Sequence, residues 1–158
     1  MFKHLLVPLD GSELSEVALP PALELATCLK SKVTLLRVVH PPYFLAASGS
    51  DFTELYTIFR EDMQQEAANY IKDKQTALQA EGYRVGSRIV EGDSVADSIL
   101  NTADELAVDT IVMSTHGRGG LSRFVFGSVA DKVLKHAKVP LLLIRAQNSK
   151  EENDVDKS

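Results

Sequence analysis

The chain is poor in cysteine. Cys28 is the only one in 158 residues, so no internal disulfide can form and a reducing compartment is expected. Long apolar runs are also absent, none approaching the length that spans a bilayer, so a membrane is not an expected partner. Met1 leads directly into a strand pattern rather than a leader segment, which makes the cytoplasm the expected location. Basic residues form no stripe. The 17 Lys and Arg stand against 22 Asp and Glu, and the resulting net charge of −5 argues against a nucleic-acid partner. Several catalytic templates are missing: there is no Gly-x-Ser-x-Gly elbow, no His-Glu-x-x-His and no Gly-Lys-Ser/Thr of a P-loop. The histidines, His4, His40, His116 and His136, are scattered and offer no metal set.

What the chain does have is alternation of short apolar runs with helical patterns. At 44% hydrophobic and 25% charged residues it reads as one globular domain over residues 1–146, followed by a polar tail over 147–158 without periodicity, expected to be disordered. Strands are expected at 5–9, 33–39, 83–90, 110–113 and 141–144. Ser12 reads as an N-cap with Glu13 and Glu16 in the first turn. Val17, Pro21, Leu25 and Leu29 mark the apolar face of the helix that follows, and Pro20-Pro21 should bend it or push its start later. Cys28, among apolar neighbours there, reads as a small core residue. Residues 41–59 read as irregular, either a lid or a connector. Met63, Ala67, Tyr70, Ile71, Lys74 and Leu78 recur at helical spacing, with Gly82 as the stop. Ser94 caps a third helix, with Ile99, Leu100, Ala103 and Leu106 facing inward, and 129–136 reads as a fourth. Strands separated by helices imply a doubly wound, five-stranded parallel α/β sheet with helices on both faces. In the order 3-2-1-4-5, strands one and four meet at the switch point, where such folds bind ligands.

Two glycine-bearing loops leave those two strands. Asp10-Gly11-Ser12 follows the first, and Gly117, Gly119, Gly120 and Gly127 follow the fourth. A strand, a glycine loop and a helix start make a phosphate site, because glycine lets the backbone approach and amides can point at the anion. Ser128, at the helix entrance, can cap the helix or donate its hydroxyl. Arg118 and Arg123 can steer phosphates or simply be solvated, and Asp10-Gly11-Ser12 can equally be a helix-capping turn.

Four segments carry a resemblance to a known family: Leu6-Val7-Pro8-Leu9-Asp10-Gly11-Ser12, Leu35-Leu36-Arg37-Val38-Val39, Ile111-Val112-Met113-Ser114-Thr115-His116-Gly117, and Gly127-Ser128-Val129-Ala130. The chain resembles the universal stress proteins, and within them the ATP-binding branch. That branch has the pattern glycine, two residues, glycine, nine residues, glycine, then serine or threonine. Gly117 and Gly127-Ser128 match it, and Ser114 stands where it has its first glycine. The resemblance implies that Asp10 lies near the ribose and adenine with Pro8 and Leu9 beside it. It implies that Val38 meets the adenine edge with its backbone, and that Met113 and Ser114 line the nucleoside. It further implies that His116, Gly117, Gly127, Ser128, Val129 and Ala130 hold the ribose and phosphates.

The implied function is that of an adenine-nucleotide-binding protein, a dimeric sensor or regulator in a stress response. Its ligand would be ATP, ADP or AMP, with Mg2+ or Mn2+ beside the triphosphate. Two alternatives stay open. One is a weak ATPase or self-phosphorylating protein with Ser122 or Ser128 as acceptor; the other is a dimeric interaction module that binds no nucleotide. Partnering is expected at the last strand. The run from Val139 to Ile144 is apolar and lies at a sheet edge in the order 3-2-1-4-5. Such an edge invites antiparallel pairing with a second copy, and the family resemblance points to the same contact.

Overall fold

Every central strand of this chain is apolar on both sides, and such strands must be covered twice. The computed structural model, which describes residues 2–41, 50–115 and 127–145, shows how. Five parallel strands, β1 (His4–Pro8), β2 (Lys32–Val39), β3 (Val85–Glu91), β4 (Thr110–Ser114) and β5 (Leu141–Ile144), form one sheet in the order β3-β2-β1-β4-β5. This is the expected order. Side chains alternate across it. Leu5, Val7, Leu9, Val33, Leu35 and Val112 pack against α2 (Leu19–Leu29) and α3 (Ser50–Ala80). Leu6, Leu36, Val38, Ile111 and Met113 pack against α4 (Val95–Glu105) and α5 (Ser128–His136).

The start of the molecule is tied to the start of β4. The Asp109 carboxylate accepts the amide of Lys3 at 3.1 and 2.9 Å and that of His4 at 3.4 Å, while the Asp109 amide donates to the His4 carbonyl. Burial pushes the Asp109 pKa up, but these amides and the Thr110 hydroxyl outweigh it and hold the carboxyl below its ordinary value.

Ser12 caps a single turn, α1 (Glu13–Glu16), accepting the Ser15 amide at 3.1 Å. The prolines then do what their chemistry requires. α2 starts at Leu19, with proline in its first turn, where a missing N–H costs nothing. That late start also corrects the expected apolar face. Leu19, Ala22, Leu23 and Ala26 are buried, Val17 lies before the helix, and Leu29 is exposed. Cys28, two residues beyond Ala26, is rotated about 200° from it and is exposed rather than part of the core.

The reading of 41–59 as irregular is also corrected, since α3 begins at Ser50; residues 42–49 lie outside the described part, and so does the tail at 147–158. Its 31 residues span about 46 Å, whereas the eight residues of β2 span about 26 Å. The helix therefore outruns the sheet, and Leu55, Ile58 and Phe59 remain exposed on its first turns. Ala67, Ile71 and Leu78 are buried where α3 does reach the sheet. Its end is a Schellman turn: the Tyr83 amide donates to the Leu78 carbonyl and the Gly82 amide to that of Gln79, with Gly82 at φ +92°.

Gly82→Ala is expected to lower the unfolding free energy by roughly 1–2 kcal/mol, the cost of a Cβ in the left-handed region. Urea titration of both forms measures it; equal midpoints would contradict the assignment.

Candidate functional site

The crevice forms where the winding reverses. β2 and β3 lie on one side of β1, and β4 and β5 on the other, so the ends of β1 and β4 are neighbours at the switch point. Between them lies a cavity of about 400 Å³, a size suited to a small organic ligand. Pro8, Leu9 and Asp10 line it from the end of β1, Val38 from β2, and Met113 and Ser114 from β4. Gly127, Ser128, Val129 and Ala130 line it from the start of α5. These residues are far apart in the chain and come together here. His116 and Gly117, assigned to the same site from the sequence, lie outside the described residues, as do Arg118, Ser122 and Arg123.

The walls differ in kind. Leu9, Leu36, Val38, Ile99 and Met113 are buried and make an apolar slot. Asp10 stands at its rim. The Asp10 Oδ1 accepts the Ser12 amide at 2.9 Å and the Ser12 hydroxyl at 2.5 Å, and the Asp10 amide donates to the Ser15 hydroxyl at 3.2 Å. The loop is thus a capping turn and also part of the cavity wall. The two readings of Asp10-Gly11-Ser12 are compatible, because one carboxylate has lone pairs for both tasks.

At the opposite rim, α5 presents an unfinished helix end. Gly127 is its N-cap and brings no side chain to satisfy the first turn. Ser128 is the first helical residue rather than the cap. The Gly127 amide is already spent on the Thr115 carbonyl at 2.9 Å, and the first intrahelical bond runs from the Asp131 amide to the Gly127 carbonyl. The amides of Ser128, Val129 and Ala130 therefore have no intrahelical acceptor. These three residues line the cavity at the positive end of the helix dipole.

Other lining residues were not assigned to the site from the sequence: Ser15, Leu36, Arg37, Val39, His40, Met63, Val95, Ile99 and Thr115. Arg37 had a signal, being a lone cation inside the apolar run of β2. His40 donates Nδ1–H to the Gly92 carbonyl at 2.9 Å, since a carbonyl oxygen can only accept. Among the described residues no group of three His, Cys, Asp or Glu is placed to hold a metal, and no helix is long and apolar enough to cross a membrane.

A doubly wound sheet with a half-apolar, half-polar crevice at its switch point defines the class: an α/β protein built around a ligand-sized site. The chain belongs to the universal stress protein family, whose model matches residues 1–145. It is 30% identical over 145 residues to universal stress protein MJ0531 of Methanocaldococcus jannaschii, covering 92% of this chain and 83% of that one. To universal stress protein MJ0577 of the same organism it is 28% identical over 160 residues, covering 94% and 98%. The solved structure of MJ0577 superposes with a TM-score of 0.81 at 29% identity, over 94% of this chain and 99% of that one. A universal stress protein solved in complex with cAMP shares the fold at a TM-score of 0.59 and 21% identity, over 92% and 98% of the two chains.

Behind Asp10, α1 is clamped to α3. Glu16 accepts the Tyr70 hydroxyl at 2.8 Å and pairs with Lys74 at 2.6 Å. Burial raises the Tyr70 pKa well above its ordinary value, and the hydrogen bond to Glu16 and its charge add to that. The folded state therefore keeps the phenol neutral after the unfolded chain has begun to ionise. Its contribution to stability is complete below a pH of about 10 and is lost as the pH rises above it. Chemical denaturation between neutral and strongly alkaline pH is expected to show a steeper loss for the wild type than for Tyr70→Phe. Parallel curves would contradict this.

Proposed function

We propose that the protein binds an adenine nucleotide, ATP foremost, in the cavity between the ends of β1 and β4. In this reading it acts as a nucleotide-dependent sensor or regulator in a stress response. The observation that carries the proposal is the α5 terminus: three helix amides without intrahelical acceptors, on a residue-127 cap that lacks a side chain, beside a buried apolar slot. Open amides at a helix start suit phosphate oxygens, and the slot suits a flat base.

In this reading Ser128, Val129 and Ala130 take the phosphates, with the Ser128 hydroxyl as a further donor. Gly127 keeps that path clear, and His116 and Gly117 complete it from the preceding loop. Asp10 accepts from a ribose hydroxyl, with Pro8 and Leu9 beside it. Val38, Met113 and Ser114 border the nucleoside. A Mg2+ or Mn2+ ion would accompany the triphosphate, and Asp10 is the carboxylate that lines the cavity to meet it. The family member in complex with cAMP holds a ligand with the same three parts: adenine, ribose and phosphate. Efficient turnover is not part of the proposal, since among the described residues the cavity lining holds no lysine to stabilise phosphoryl transfer. The reading includes a cytoplasmic protein, which the single, exposed Cys28 favours.

Titration calorimetry of purified protein with ATP is expected to show binding. Gly127→Leu should abolish it, because the new side chain occupies the phosphate position. Phosphate release should stay below about 1 per second, under the range of ordinary enzymes. No heat with ATP, and no nucleotide released from denatured protein, would overturn the proposal.

The same reading includes a homodimer. β5 is an edge strand whose sequence is Leu-Leu-Leu-Ile, and Leu142 is 38% exposed. An apolar edge of this kind pairs with a second copy about a twofold axis unless something blocks it. Light scattering should return twice the chain mass of 17.3 kDa, and Leu142→Asp should shift it toward 17.3 kDa. A wild-type monomer at micromolar concentration would overturn this part.

A further inference from the structure

Alternation along β2 turns Leu36 and Val38 toward the apolar slot, and the next residue of that row is His40. It is exposed, and it lines the cavity. Two bonds to Gly92 fix the end of β2 at this point. The Gly92 amide donates to the Val39 carbonyl at 3.1 Å, which carries the pairing of β2 and β3 one residue past β3. The Gly92 carbonyl accepts Nδ1–H of His40 at 2.9 Å. Residue 92 is itself close against α4. A Cβ there would run into the Ser98 Oγ, and Val95 and Ile99 of the same helix line the cavity. The missing side chain lets the end of β3 lie against α4 while it holds the imidazole by one nitrogen.

With the proton on Nδ1, the Nε2 of the neutral ring is a hydrogen-bond acceptor and not a donor. Its place in the cavity decides what it meets. The open amides of α5 lie on the β4 side and His40 on the β2 side, with β1 between the two strands. In the reading above the phosphates occupy the α5 end. A nucleotide laid across β1 then brings its base, not its phosphates, toward β2. The slot walls Leu36, Val38, Ile99 and Met113 are apolar side chains and read no hydrogen-bond pattern. Adenine and a 6-oxopurine have the same flat shape, so those walls take either. The two bases differ at the 6 position, which carries an amino donor in adenine and a carbonyl acceptor in the other.

We infer that His40 is a base-selecting residue, its Nε2 accepting a hydrogen bond from the 6-amino group of adenine. This rests on the nucleotide reading above and deepens it by naming the side chain that separates adenine from 6-oxopurines. Against a 6-oxopurine the same nitrogen turns a lone pair toward a carbonyl oxygen, and neither atom can donate. A site that hydrogen-bonds one substrate group rejects the analogue that leaves its own polar atom unpaired.

The test is calorimetric titration of ATP and of inosine triphosphate, which has a carbonyl in place of the 6-amino group, into wild type, His40→Asn and His40→Phe. The wild type is expected to bind ATP more tightly than inosine triphosphate. His40→Asn keeps a side-chain N–H for the Gly92 carbonyl but has no acceptor at the Nε2 position. It should weaken ATP about fivefold to tenfold and leave inosine triphosphate no weaker than in the wild type. His40→Phe keeps a ring and removes both nitrogens. It should lose selectivity in the same way, and it carries the test should the asparagine variant not fold. Wild-type affinity for ATP in His40→Asn would reduce the residue to a strap on the end of β3 and overturn the inference. An equal loss for both nucleotides overturns it as well, because it marks a wall of the cavity and not a selector. Equal affinities of the wild type for the two nucleotides also overturn it, while the nucleotide reading stands. Failure of the wild type to bind either ligand has a different signature: it overturns the nucleotide reading itself, and the inference with it.

Discussion

The pairing of β1 with both β2 and β4 is the contact on which the remaining geometry depends. β1 is buried on two faces and hydrogen-bonded on two edges, with Leu5, Leu6 and Val7 fully enclosed. Because a crossover helix returns the chain on one side of the sheet, strands laid outward from β1 in both directions put α2 and α3 on one face and α4 and α5 on the other. The crevice lies at the ends of β1 and β4, where this winding reverses. The clasp of Asp109 on the amides of Lys3 and His4 secures the same pairing from the opposite end of the sheet. Weakening it would loosen the strand pair that creates the site, although no atom of Asp109 lines the cavity.

Satisfied and unsatisfied polar groups are divided between scaffold and cavity. Away from the rim the hydrogen bonds close: Ser12 caps α1, the Schellman turn ends α3, Ser94 caps α4, and Glu16 joins α1 to α3. At two places they do not. The first amides of α5 lack intrahelical acceptors, and the Arg37 Nε lacks any among the described residues. In the reading proposed above, the first amides of α5 are the donors that would meet an acceptor-rich ligand.

The two sheet edges are handled differently. β3 carries Ser87, Arg88, Ile89 and Glu91 on its exposed positions, and Arg60 and Gln64 of α3 bond to Glu91. Charge and a neighbouring helix make that edge a poor template for another strand. β5 has neither device in its own sequence, and its leucines are only partly covered. This asymmetry is a property of the single chain.

Much of the architecture was legible in the amino-acid order, and the reason is local. Apolar runs of strand length, Ser12 and Ser94 as caps, Gly82 as a stop and the proline pair before α2 act within a few residues of themselves. The strand–helix alternation then left few topologies, and the order 3-2-1-4-5 followed. Where the reading depended on which neighbour covers a surface, it missed. Cys28 lies on the outer side of α2, because the helix begins late and its inner row runs through Leu19, Ala22, Leu23 and Ala26. The first turns of α3 bear no inward stripe to read, since they project past the sheet that would bury one. For the site, the sequence named loops and strand ends, which are contiguous motifs. It did not assign Arg37, His40 or Met63, whose part in the cavity comes from β2 and α3 being folded beside β1. Spacing alone determined which backbone can approach a ligand; only the packed structure decided which side chains reach the cavity, and which of their hydrogen bonds were left unmade.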